Sequence, residues 1–555
     1  MSQATSSPHG LLARAEQIAG EFELSPEHVA KIARHFVQHM KDGLRSHGAT
    51  QMPSYVTTMP TGTEKGLFLA VDLGGTNCRV CSVDLHGDST YTLVQSKHSI
   101  PRELMVNSSH QPLFKFVAER VGDFLKKQHD VEPARDKRRG GEEANREGHL
   151  KLGFTFSFTY ENESLSRGTM IQWDKGWDIP SALGRDPCEM LQTAIDELGL
   201  SVHVSALASD SVGTLMARSY TSTTKSSTLI GAIFGTGTNA AYVERMSNLT
   251  KLQSRPEFRS HGPDSIMIMN TEWGAFDEEM KALPTTIYDD LLDENSVNQK
   301  SQMLEKRISG LYLGELLRLV ICQLLETGLL NMQLDADSPL MRAYAVDSSF
   351  LTLLAKDPTK SLNDAIRHIS DTLRARQVSW EDARAFHLIA ESIARRASRL
   401  SGAAIAAIII QSERLDPATS RSVSKSSTPK LVEVAHREKR DNLDHPTDTA
   451  ADVWHFINHL LRKLLRRLGL RRSNRPKNIP TPAPEVADSE VWEESVIDIG
   501  VDGSLFEFYP TFEENIRGAL RDIPEIGIEG EKRVTMGLAR DGSGVGAALI
   551  AQSIE

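Results

Sequence analysis

The sequence predicts a mixed α/β protein whose two halves are built alike. Strand-like stretches alternate along the chain with stretches whose apolar residues recur at helical spacing. In each half, a hydrophobic strand breaks at a glycine turn that ends in Thr-Asn and then resumes as a strand. Alternation of strands and helices is typical of α/β proteins. The repeated strand–turn–strand pattern favours two related lobes.

The predicted elements follow this pattern in order along the chain. Residues 11–48 show an amphipathic helical pattern, and residues 66–100 read as strands around the first glycine turn. The remaining predicted elements are a helix at 111–128, an exposed charged loop at 134–143, strands at 151–156 and 202–208, a helix at 211–220 that starts just after Asp210, and long buried helices at 302–330 and 380–410.

The two glycine turns carry the main functional signal. The first reads Asp72-Leu-Gly74-Gly75-Thr76-Asn77-Cys-Arg79, and the second reads Phe234-Gly235-Thr236-Gly237-Thr238-Asn239. Glycines let the backbone approach a phosphate and direct N–H groups at it, while Thr hydroxyls add donors. A single turn of this kind is also compatible with an ordinary hairpin loop. Two of them, one at the head of each half, predict lobes that hold a nucleotide between them, as in a kinase.

Length, composition and charge narrow the class of protein. The 555 residues leave room for two or three domains, and 39% hydrophobic with 25% charged residues is ordinary for globular proteins. The formal net charge of -11 disfavours nucleic-acid binding. Of the four cysteines, Cys78 and Cys81 are expected to be buried free thiols in a strand. The N-terminus lacks a signal pattern, and no apolar run is long enough to span a bilayer, so a cytoplasmic location is expected.

The segment from 412 to 490 differs in composition from the rest of the chain. Ser, Lys, Pro and Thr dominate it, and 420–430 and 476–484 read as linkers. Between them, 453–477 has one apolar helical face and a run of basic residues. It is either a helix packed on the body or a docking element for an anionic membrane surface or a protein partner. The second interpretation predicts association with the mitochondrial surface or the nucleus.

Several motifs, taken together, resemble the eukaryotic hexokinase and glucokinase family. They occur in the family's order and cover nearly the whole chain except 135–148 and 412–490. Besides the two glycine turns, the matching stretches are 52–64 (Met-Pro-Ser-Tyr-Val-Thr-Thr-Met-Pro-Thr-Gly-Thr-Glu), 152–158 (Leu-Gly-Phe-Thr-Phe-Ser-Phe), 270–276 (Asn-Thr-Glu-Trp-Gly-Ala-Phe), 305–315 (Glu-Lys-Arg-Ile-Ser-Gly-Leu-Tyr-Leu-Gly-Glu), 500–504 (Gly-Val-Asp-Gly-Ser) and 541–548 (Asp-Gly-Ser-Gly-Val-Gly-Ala-Ala).

The resemblance implies a two-lobed actin-like ATPase fold, of the ribonuclease H-like type, that closes over a sugar with Mg-ATP between the glycine turns. The expected parts are the N-terminal helical portion of the large lobe at 1–65, the small lobe at 66–207, the large lobe at 208–411, the insert at 412–490, and a return to both lobes with nucleotide-side motifs at 491–555. Neither the composition nor the motifs define an oligomeric state.

The resemblance also implies roles for particular residues. Asp210 would be the general base, although an Asp at the start of a helix is also a common cap. Lys175 would steady the transferring phosphoryl group, and Asp72 would hold Mg²⁺ through water; a surface cation and a turn-capping acid are the alternatives. The implied hexose-binding residues are Ser157, Asp174, Lys175, Ser209, Asp210, Asn239, Glu272 and Glu305. The implied nucleotide-binding residues are Asp72, Gly74, Gly75, Thr76, Asn77, Arg79, Gly235, Thr236, Gly237, Thr238, Gly542, Ser543 and Gly544.

Two departures from the family pattern fall among these residues. Ser209 stands before Asp210 where the family has Asn, so one sugar-binding amide is replaced by a hydroxyl. The second departure is Asp174, in the stretch Gln172-Trp-Asp-Lys-Gly-Trp177. The family has Trp-Thr-Lys-Gly-Phe there, so Asp174 replaces a Thr and adds a negative charge near the phosphates. Thr159 in place of Pro, and Asn298-Gln-Lys-Ser in place of a proline-glycine loop, are milder changes.

Two functions are therefore compatible with the sequence. The first is ATP-dependent phosphorylation of a glucose-like hexose at its 6-hydroxyl, with Asp210 as base, feeding glycolysis. The alternative is a catalytically weak or inactive relative that senses sugar or nucleotide and acts in carbon-source regulation, with the basic insert as docking element. The motifs at 270–276 and 305–315 disfavour an actin-like structural protein.

Overall fold

Two mixed β-sheets form the frame of the protein in the computed structural model. The structure describes residues 8–128, 149–173, 176–222, 228–255, 258, 262, 264–416 and 496–554. The described strands are β1 Met52–Pro53, β2 Lys65–Leu73, β3 Asn77–His86, β4 Tyr91–Ser99, β5 Leu150–Phe156, β6 Thr159–Ser164, β7 Arg167–Gln172, β8 Val202–Ala208, β9 Thr228–Phe234, β10 Thr238–Arg245, β11 Ile266–Asn270, β12 Gln333–Leu334, β13 Ala375–Arg376, β14 Ile497–Asp502 and β15 Val534–Leu538.

The α-helices lie between and around these sheets. They are α1 Pro8–Glu21, α2 Pro26–Arg45, α3 Arg102–Met105, α4 Gln111–Lys127, α5 Pro187–Glu197, α6 Asp210–Thr221, α7 Ile287–Glu294, α8 Glu305–Ile308, α9 Gly310–Glu326, α10 Ser349–Ala355, α11 Asn363–Leu373, α12 Trp380–Gln411, α13 Ser504–Phe508, α14 Phe512–Asp522, α15 Gly527–Lys532 and α16 Gly542–Gln552.

The two large sheets share one topology. The first has the order β4-β3-β2-β5-β8, and the second has the order β11-β10-β9-β14-β15 with the short strand β1 added beside β11. In the first sheet, β2, β3 and β4 form an antiparallel meander, and β5 and β8 add in parallel beside β2. In the second sheet, β9, β10 and β11 form the meander, and β14 and β15 add in parallel beside β9. Each glycine turn connects the first two strands of its meander, so the predicted resemblance between the two halves is confirmed.

Helices α6 and α16 pack against each other between the two sheets. α16 lies on the first sheet and α6 on the second. Their crossing is close because glycines meet there: a β-carbon on Gly546 would stand 2.2 Å from the Cα and carbonyl oxygen of Gly213. Each side chain larger than hydrogen would push the helices apart. The crossing therefore brings the two lobes within backbone contact.

The hydrophobic core has two parts. The smaller part lies between one face of the first sheet and helices α4 and α5. The larger part surrounds the second sheet and the 32-residue helix α12, which packs on α1, α2 and α14. Cys78 and Cys81 of β3 are buried free thiols as expected, and burial raises the pKa of each to about 12.

The amphipathic helical pattern predicted over 11–48 corresponds to two helices in the structure. α1 ends at Glu21 and α2 starts at Pro26, with Ser25 as its N-cap. The hydroxyl of Ser25 accepts a hydrogen bond from the N–H of His28. Ser followed by Pro at the first helical position is a standard start signal, so the break was readable from the sequence.

The long helix predicted over 302–330 is also divided. The short helix α8 ends at Ile308, and α9 starts anew at Gly310. A β-carbon on Gly310 would lie 2.9 Å from the carbonyl oxygen of Gly235. The break lets the start of α9 contact the second glycine turn, which is a tertiary cause that local sequence does not contain.

The other predicted elements agree with the structure within one or two residues. The helix after β8 starts at Asp210 itself, and its N-cap is Ser209. Among the described helices, none is long and apolar enough to cross a membrane. The predicted loop at 134–143 and the basic segment 453–477 lie outside the described residues.

Candidate active site

The ends of several strands from both sheets meet at one cleft. β2 of the first sheet and β9 and β14 of the second end there, and α6 starts there after β8. A cavity of about 390 Å³ occupies this cleft. Ligands in α/β proteins commonly bind where strands end and strand order changes.

Most of the residues singled out from the sequence meet in this cleft. Those that line it are Asp72, Gly74, Gly75, Thr76, Arg79, Ser157, Ser209, Asp210, Thr236, Gly237, Thr238, Asn239, Glu272, Glu305 and Ser543. Asn77, Gly235, Gly542 and Gly544 are described but are not among the lining residues. Asp174 and Lys175 lie outside the described residues.

Gly542 and Gly544 are needed for helix packing. A β-carbon on Gly542 would lie 2.9 Å from the Cα of Thr214 in α6, and one on Gly544 would lie 2.9 Å from the sulfur of Cys81. Both positions therefore allow α16 to lie close to its neighbours. Asn77 instead donates from its amide to the hydroxyl of Thr76, at 2.8 Å.

The first glycine turn is anchored through its carbonyl groups. The indole N–H of Trp177 donates to the carbonyl of Gly75 at 2.8 Å. The N–H of Ile100 donates to the carbonyl of Thr76 at 3.0 Å. Neither Trp177 nor Ile100 lines the cavity, whereas Gly75 and Thr76 do. The carbonyl oxygens are thus engaged from outside the cavity, which suits N–H groups presented to an anion.

The second glycine turn is anchored by the start of α9. The N–H of Gly310 donates to the carbonyl of Gly235 at 2.8 Å, and the N–H of Leu311 donates to that of Thr236 at 3.1 Å. Within the turn, the N–H of Gly235 donates to the carbonyl of Gly237. Two consecutive carbonyl groups are therefore fixed in each of the two turns.

Asp72 belongs to a small charged cluster at the end of β2. Arg79 of β3 donates to Oδ2 of Asp72, and the hydroxyl of Ser543 donates to the same oxygen at 2.8 Å. The carboxylate of Asp541 lies 3.7 Å from the guanidinium of Arg79. The negative charge of Asp72 raises the pKa of Arg79. Because Ser543 lies in the first turn of α16, this cluster joins the first sheet to that helix.

Asp210 is the first residue of α6 and lines the cavity. Its carboxylate accepts a hydrogen bond from the N–H of Ser211 at 2.8 Å. A carboxylate in the first turn of a helix is favoured by the helix dipole. Ser209 caps the same helix: its hydroxyl accepts from the N–H of Val212 at 3.4 Å and lies 3.1 Å from the hydroxyl of Ser211. The cap is thus Ser209, which leaves the Asp210 carboxylate in the cavity lining.

Glu272 is held by two amide side chains. Asn270 donates to its Oε1 at 2.7 Å, and Asn239 donates to the same oxygen at 3.2 Å. The Asn239 amide also donates to Asn270 at 2.9 Å. Asn270 in turn accepts from the hydroxyl of Ser211 at 3.4 Å. These bonds link the start of α6 to Glu272 and orient its carboxylate.

The backbone of Glu272 is unusual for a residue with a side chain. Its φ is +47°, in the left-handed region that favours glycine. Such strain persists where the surrounding structure fixes it, and it concentrates at functional sites. Glu305, at the start of α8, accepts from the N–H of Thr238 at 3.3 Å. Two carboxylates and an amide therefore face one part of the cavity, a combination that suits neighbouring hydroxyl groups.

Asp502 lines the cleft, although the sequence did not identify it as a site residue. It ends β14 and accepts a hydrogen bond from the N–H of Gly503 at 2.7 Å. Burial raises its pKa to about 6, and the negative charges of Asp210 and Asp541 contribute in the same direction. The motif at 500–504 pointed to this turn, but burial and neighbouring charge depend on contacts distant in sequence.

Other lining residues were not assigned a role in the site from the sequence. They are Phe156, Phe158, Thr159, Ile233, Gln302, Leu311 and Gly503. Gly503 has a φ of +116°, and a β-carbon there would stand 2.3 Å from the carbonyl carbon of Phe234. Only glycine allows this approach between the end of β14 and the second turn.

Comparison with known proteins agrees with this geometry. Two models described as hexokinase match residues 14–220 and residues 229–436 with 471–553. The chain is 40% identical to a glucokinase of Aspergillus niger over 98% of this chain and 97% of that one. It is 33% identical to glucokinase-1 of Saccharomyces cerevisiae over 97% and 96%. A solved structure of a Schistosoma mansoni hexokinase complexed with glucose superposes with a TM-score of 0.72 at 29% identity, covering 99% of this chain and all of that one.

The cleft between duplicated ribonuclease H-like lobes defines a sugar-kinase type of site. The family models cover both lobes, and the relatives align over nearly the full chain. The chain belongs to the hexokinase family. It is a hexokinase-type phosphotransferase with the two-lobed actin-like ATPase fold.

Proposed function

We propose that this protein transfers the terminal phosphoryl group of Mg-ATP to the 6-hydroxyl of glucose or a closely similar hexose. The observation that carries the proposal is the grouping of Asp210, Glu272 and Glu305 with both glycine turns around one cavity. Its sequence relatives bear the names glucokinase and hexokinase. One structural relative, the Schistosoma mansoni hexokinase, was solved in complex with glucose.

The polar side chains on the second lobe suit the recognition of a hexose. Glu272 and Glu305 can each accept hydrogen bonds from sugar hydroxyls, and Asn239 can donate or accept. The bonds from Asn239 and Asn270 hold Glu272 in place before the sugar arrives. Preorganised acceptors of this kind reduce the entropic cost of binding.

Asp210 would act as the general base. Its carboxylate would accept the proton of the 6-hydroxyl as the oxygen attacks the phosphoryl group. The bond from the N–H of Ser211 fixes the carboxylate at the start of α6, which sets the direction from which it meets the hydroxyl. Positioning matters here because phosphoryl transfer depends mainly on alignment and charge stabilisation.

The nucleotide would be held by backbone groups of the two glycine turns. Their carbonyl oxygens are fixed by Trp177, Ile100, Gly310 and Leu311. When bound, Mg-ATP supplies the phosphoryl group, and Asp72 would hold the Mg²⁺ through water. Mg²⁺ is commonly bound by one or two carboxylates together with substrate phosphates. Lys175, outside the described residues, would steady the transferred group.

The direct test is phosphorylation of glucose by the purified full-length chain with Mg-ATP, with product position read by ³¹P nuclear magnetic resonance. Glucose should yield the 6-phosphate, and 6-deoxyglucose, which lacks the attacking hydroxyl, should yield no product. Glu272→Gln should raise KM for glucose by about tenfold or more, because a charged acceptor is lost. Phosphorylation of 6-deoxyglucose would contradict the assignment of the 6-hydroxyl. Glucose binding without any transfer would instead favour the alternative role as a sugar sensor.

A further inference from the structure

The indole of Trp177 is bonded to the first glycine turn without being part of the cavity lining. Its N–H donates to the carbonyl of Gly75 at 2.8 Å, across 102 positions of sequence. Trp177 is only 5% exposed and does not line the cavity, whereas Gly75 and Thr76 do. The indole therefore contacts the turn without being among the groups that line the cavity.

Trp177 is itself held firmly. Its ring stacks on Trp173, with centroids 5.3 Å apart and planes 15° apart, and it packs on Phe158 at 4.8 Å. The next residue, Asp178, donates to the carbonyl of Met105 at 2.9 Å and accepts from the N–H of Asn107 at 3.0 Å. A side chain fixed in this way can impose a direction on the group that it binds.

The bond to Gly75 sets the orientation of a whole peptide group. The peptide between Gly75 and Thr76 is planar and trans, so its C=O and N–H point in opposite directions. Fixing the carbonyl toward Trp177 therefore directs the N–H of Thr76 away from the indole, and Thr76 is one of the residues that line the cavity. Without the bond, this glycine-containing peptide would rotate more freely.

The second glycine turn differs from the first in the groups that fix its carbonyl oxygens. There, two consecutive carbonyl groups are fixed by backbone N–H groups of α9. In the first turn, the carbonyl of Thr76 is fixed by a backbone N–H from Ile100, but that of Gly75 is fixed by a tryptophan side chain. Of these four bonds, the one from Trp177 can therefore be removed by a side-chain substitution that leaves the backbone unchanged.

We infer that Trp177 is a positioning residue for nucleotide binding: its indole N–H orients the Gly75–Thr76 peptide so that the first glycine turn presents an N–H to a nucleotide phosphate. The inference rests on the proposed function, because it takes the first turn to be a phosphate-binding element. It assigns Trp177 no contact with the sugar or with the phosphate.

The test compares two matched variants, Trp177→Phe and Trp173→Phe. Both remove one indole N–H from the same aromatic stack and keep a ring. The Trp173 N–H, however, donates to the carbonyl of Ile179 at 2.9 Å, which is not in either glycine turn. The dissociation constant of the non-hydrolysed analogue Mg·AMP-PNP, measured by titration calorimetry, reports nucleotide binding without turnover. The dissociation constant of glucose serves as the check that each variant is folded.

Trp177→Phe should weaken Mg·AMP-PNP binding about three- to tenfold, the range of a single lost hydrogen bond. Its glucose affinity should stay within about twofold of the wild type, and KM for Mg-ATP should rise by more than kcat falls. Trp173→Phe should leave Mg·AMP-PNP binding within about twofold. Equal losses in both variants, or unchanged nucleotide binding in Trp177→Phe, would overturn the inference.

The same experiment separates this inference from the proposed function. Suppose that the wild type binds Mg·AMP-PNP, that only Trp177→Phe weakens this binding, and that the wild type transfers no phosphate to glucose. The proposed function then fails and the positioning role of Trp177 stands. If the wild type binds no Mg·AMP-PNP, the positioning role is overturned. If phosphoryl transfer proceeds and the two variants behave alike, only the positioning role fails.

Discussion

Ser209 has two roles at the start of α6: it caps the helix and it lines the cavity. Its hydroxyl accepts from the N–H of Val212 and so caps the helix, while the residue also lines the cavity. The family pattern places Asn at this position. Asn and Ser are both good N-caps, so the exchange preserves the helix start. What changes is the number of polar groups available to a sugar.

The two roles of Ser209 predict different outcomes for two substitutions. Ser209→Asn should keep the cap and lower KM for glucose by roughly tenfold, since an amide replaces a hydroxyl. Ser209→Ala should lose the cap and lower the free energy of unfolding by about 1 kcal/mol. Glucose kinetics and denaturant unfolding of both variants provide the measurement. An unchanged KM for glucose in Ser209→Asn would show that position 209 makes no contact with the sugar.

Asp502 predicts a pH dependence of stability. Burial raises its pKa from 3.8 to about 6, with Asp210 and Asp541 adding to the shift. The folded protein therefore holds this proton more tightly than the unfolded chain, and the contribution to stability is lost as the pH rises through about 6. Asp502→Asn, whose amide oxygen can still accept from Gly503, should remove that loss.

The stability gain of Asp502→Asn over the wild type should be smallest below pH 3.8 and should reach its full size above about pH 6. Its magnitude should be on the order of 2–3 kcal/mol. Denaturant unfolding of both proteins from pH 4 to pH 8 gives the difference directly. A difference that does not change over that range would contradict the raised pKa of Asp502.

At the scale of elements, the crossing of α6 and α16 joins the two lobes. Gly213 and Gly546 meet there, and α16 also carries Ser543, which bonds to Asp72. The position of the helix crossing is therefore coupled to the charged cluster at the first glycine turn. The backbones of the two helices lie so close together at the crossing that there is no room for a β-carbon on Gly546.

Gly546→Ala should therefore be strongly destabilising, by about 3 kcal/mol or more, since the added carbon would stand 2.2 Å from backbone atoms of Gly213. Gly20→Ala in α1 is the matched control because a β-carbon there meets nothing within 4 Å. That control should be neutral or slightly stabilising, by up to about 1 kcal/mol. Thermal unfolding of the two variants tests the prediction, and equal behaviour would contradict the close crossing.

The sequence predicted elements well where local pattern determines them. The glycine turns, the strands around them and α12 were all readable from apolar spacing and turn residues. The break between α1 and α2 was also signalled, by Ser25 and Pro26, although the helical pattern around it masked the signal. The break between α8 and α9 was not readable, because it depends on the contact of Gly310 with Gly235.

The site residues also divide into those that local sequence identifies and those that depend on distant contacts. Residues inside recognisable motifs, such as Asp210 and Glu272, could be predicted to lie in the cleft. Asp502 and Trp177 could not, because their importance comes from charges and bonds that distant parts of the chain supply. Pairwise contacts across a hundred or more positions are fixed by the fold, and one sequence does not reveal them.

At the scale of the whole molecule, the described chain leaves the core at residue 416 and returns at 496. Arg533 bonds to both ends: its guanidinium donates to the carbonyls of Arg414 and Leu415, and its carbonyl accepts from the N–H of Ile497. Ile497 starts β14, whereas Asp502 at the other end of that strand lines the cavity. The two chain ends therefore lie close together and at the opposite end of β14 from the cleft.

Replacing 417–495 by a flexible linker of about eight Gly and Ser residues, which reaches roughly 15 Å, should preserve the fold. We expect the midpoint of thermal unfolding and kcat for glucose to match those of the full chain closely. Both are measured on the shortened and full-length proteins side by side. A large loss of kcat with an intact fold would show that the segment contributes to the reaction.

The role of Asp210 as the general base of a hexose kinase underlies the whole proposed reaction. We would measure kcat for glucose phosphorylation in Asp210→Asn beside the wild type, with Asp84→Asn, at an exposed position of β3, as the matched control. We expect a loss of about 10²- to 10⁴-fold in Asp210→Asn with glucose affinity and unfolding midpoint nearly unchanged, and no loss in Asp84→Asn. A kcat within about tenfold of the wild type in Asp210→Asn would show that another group takes the proton.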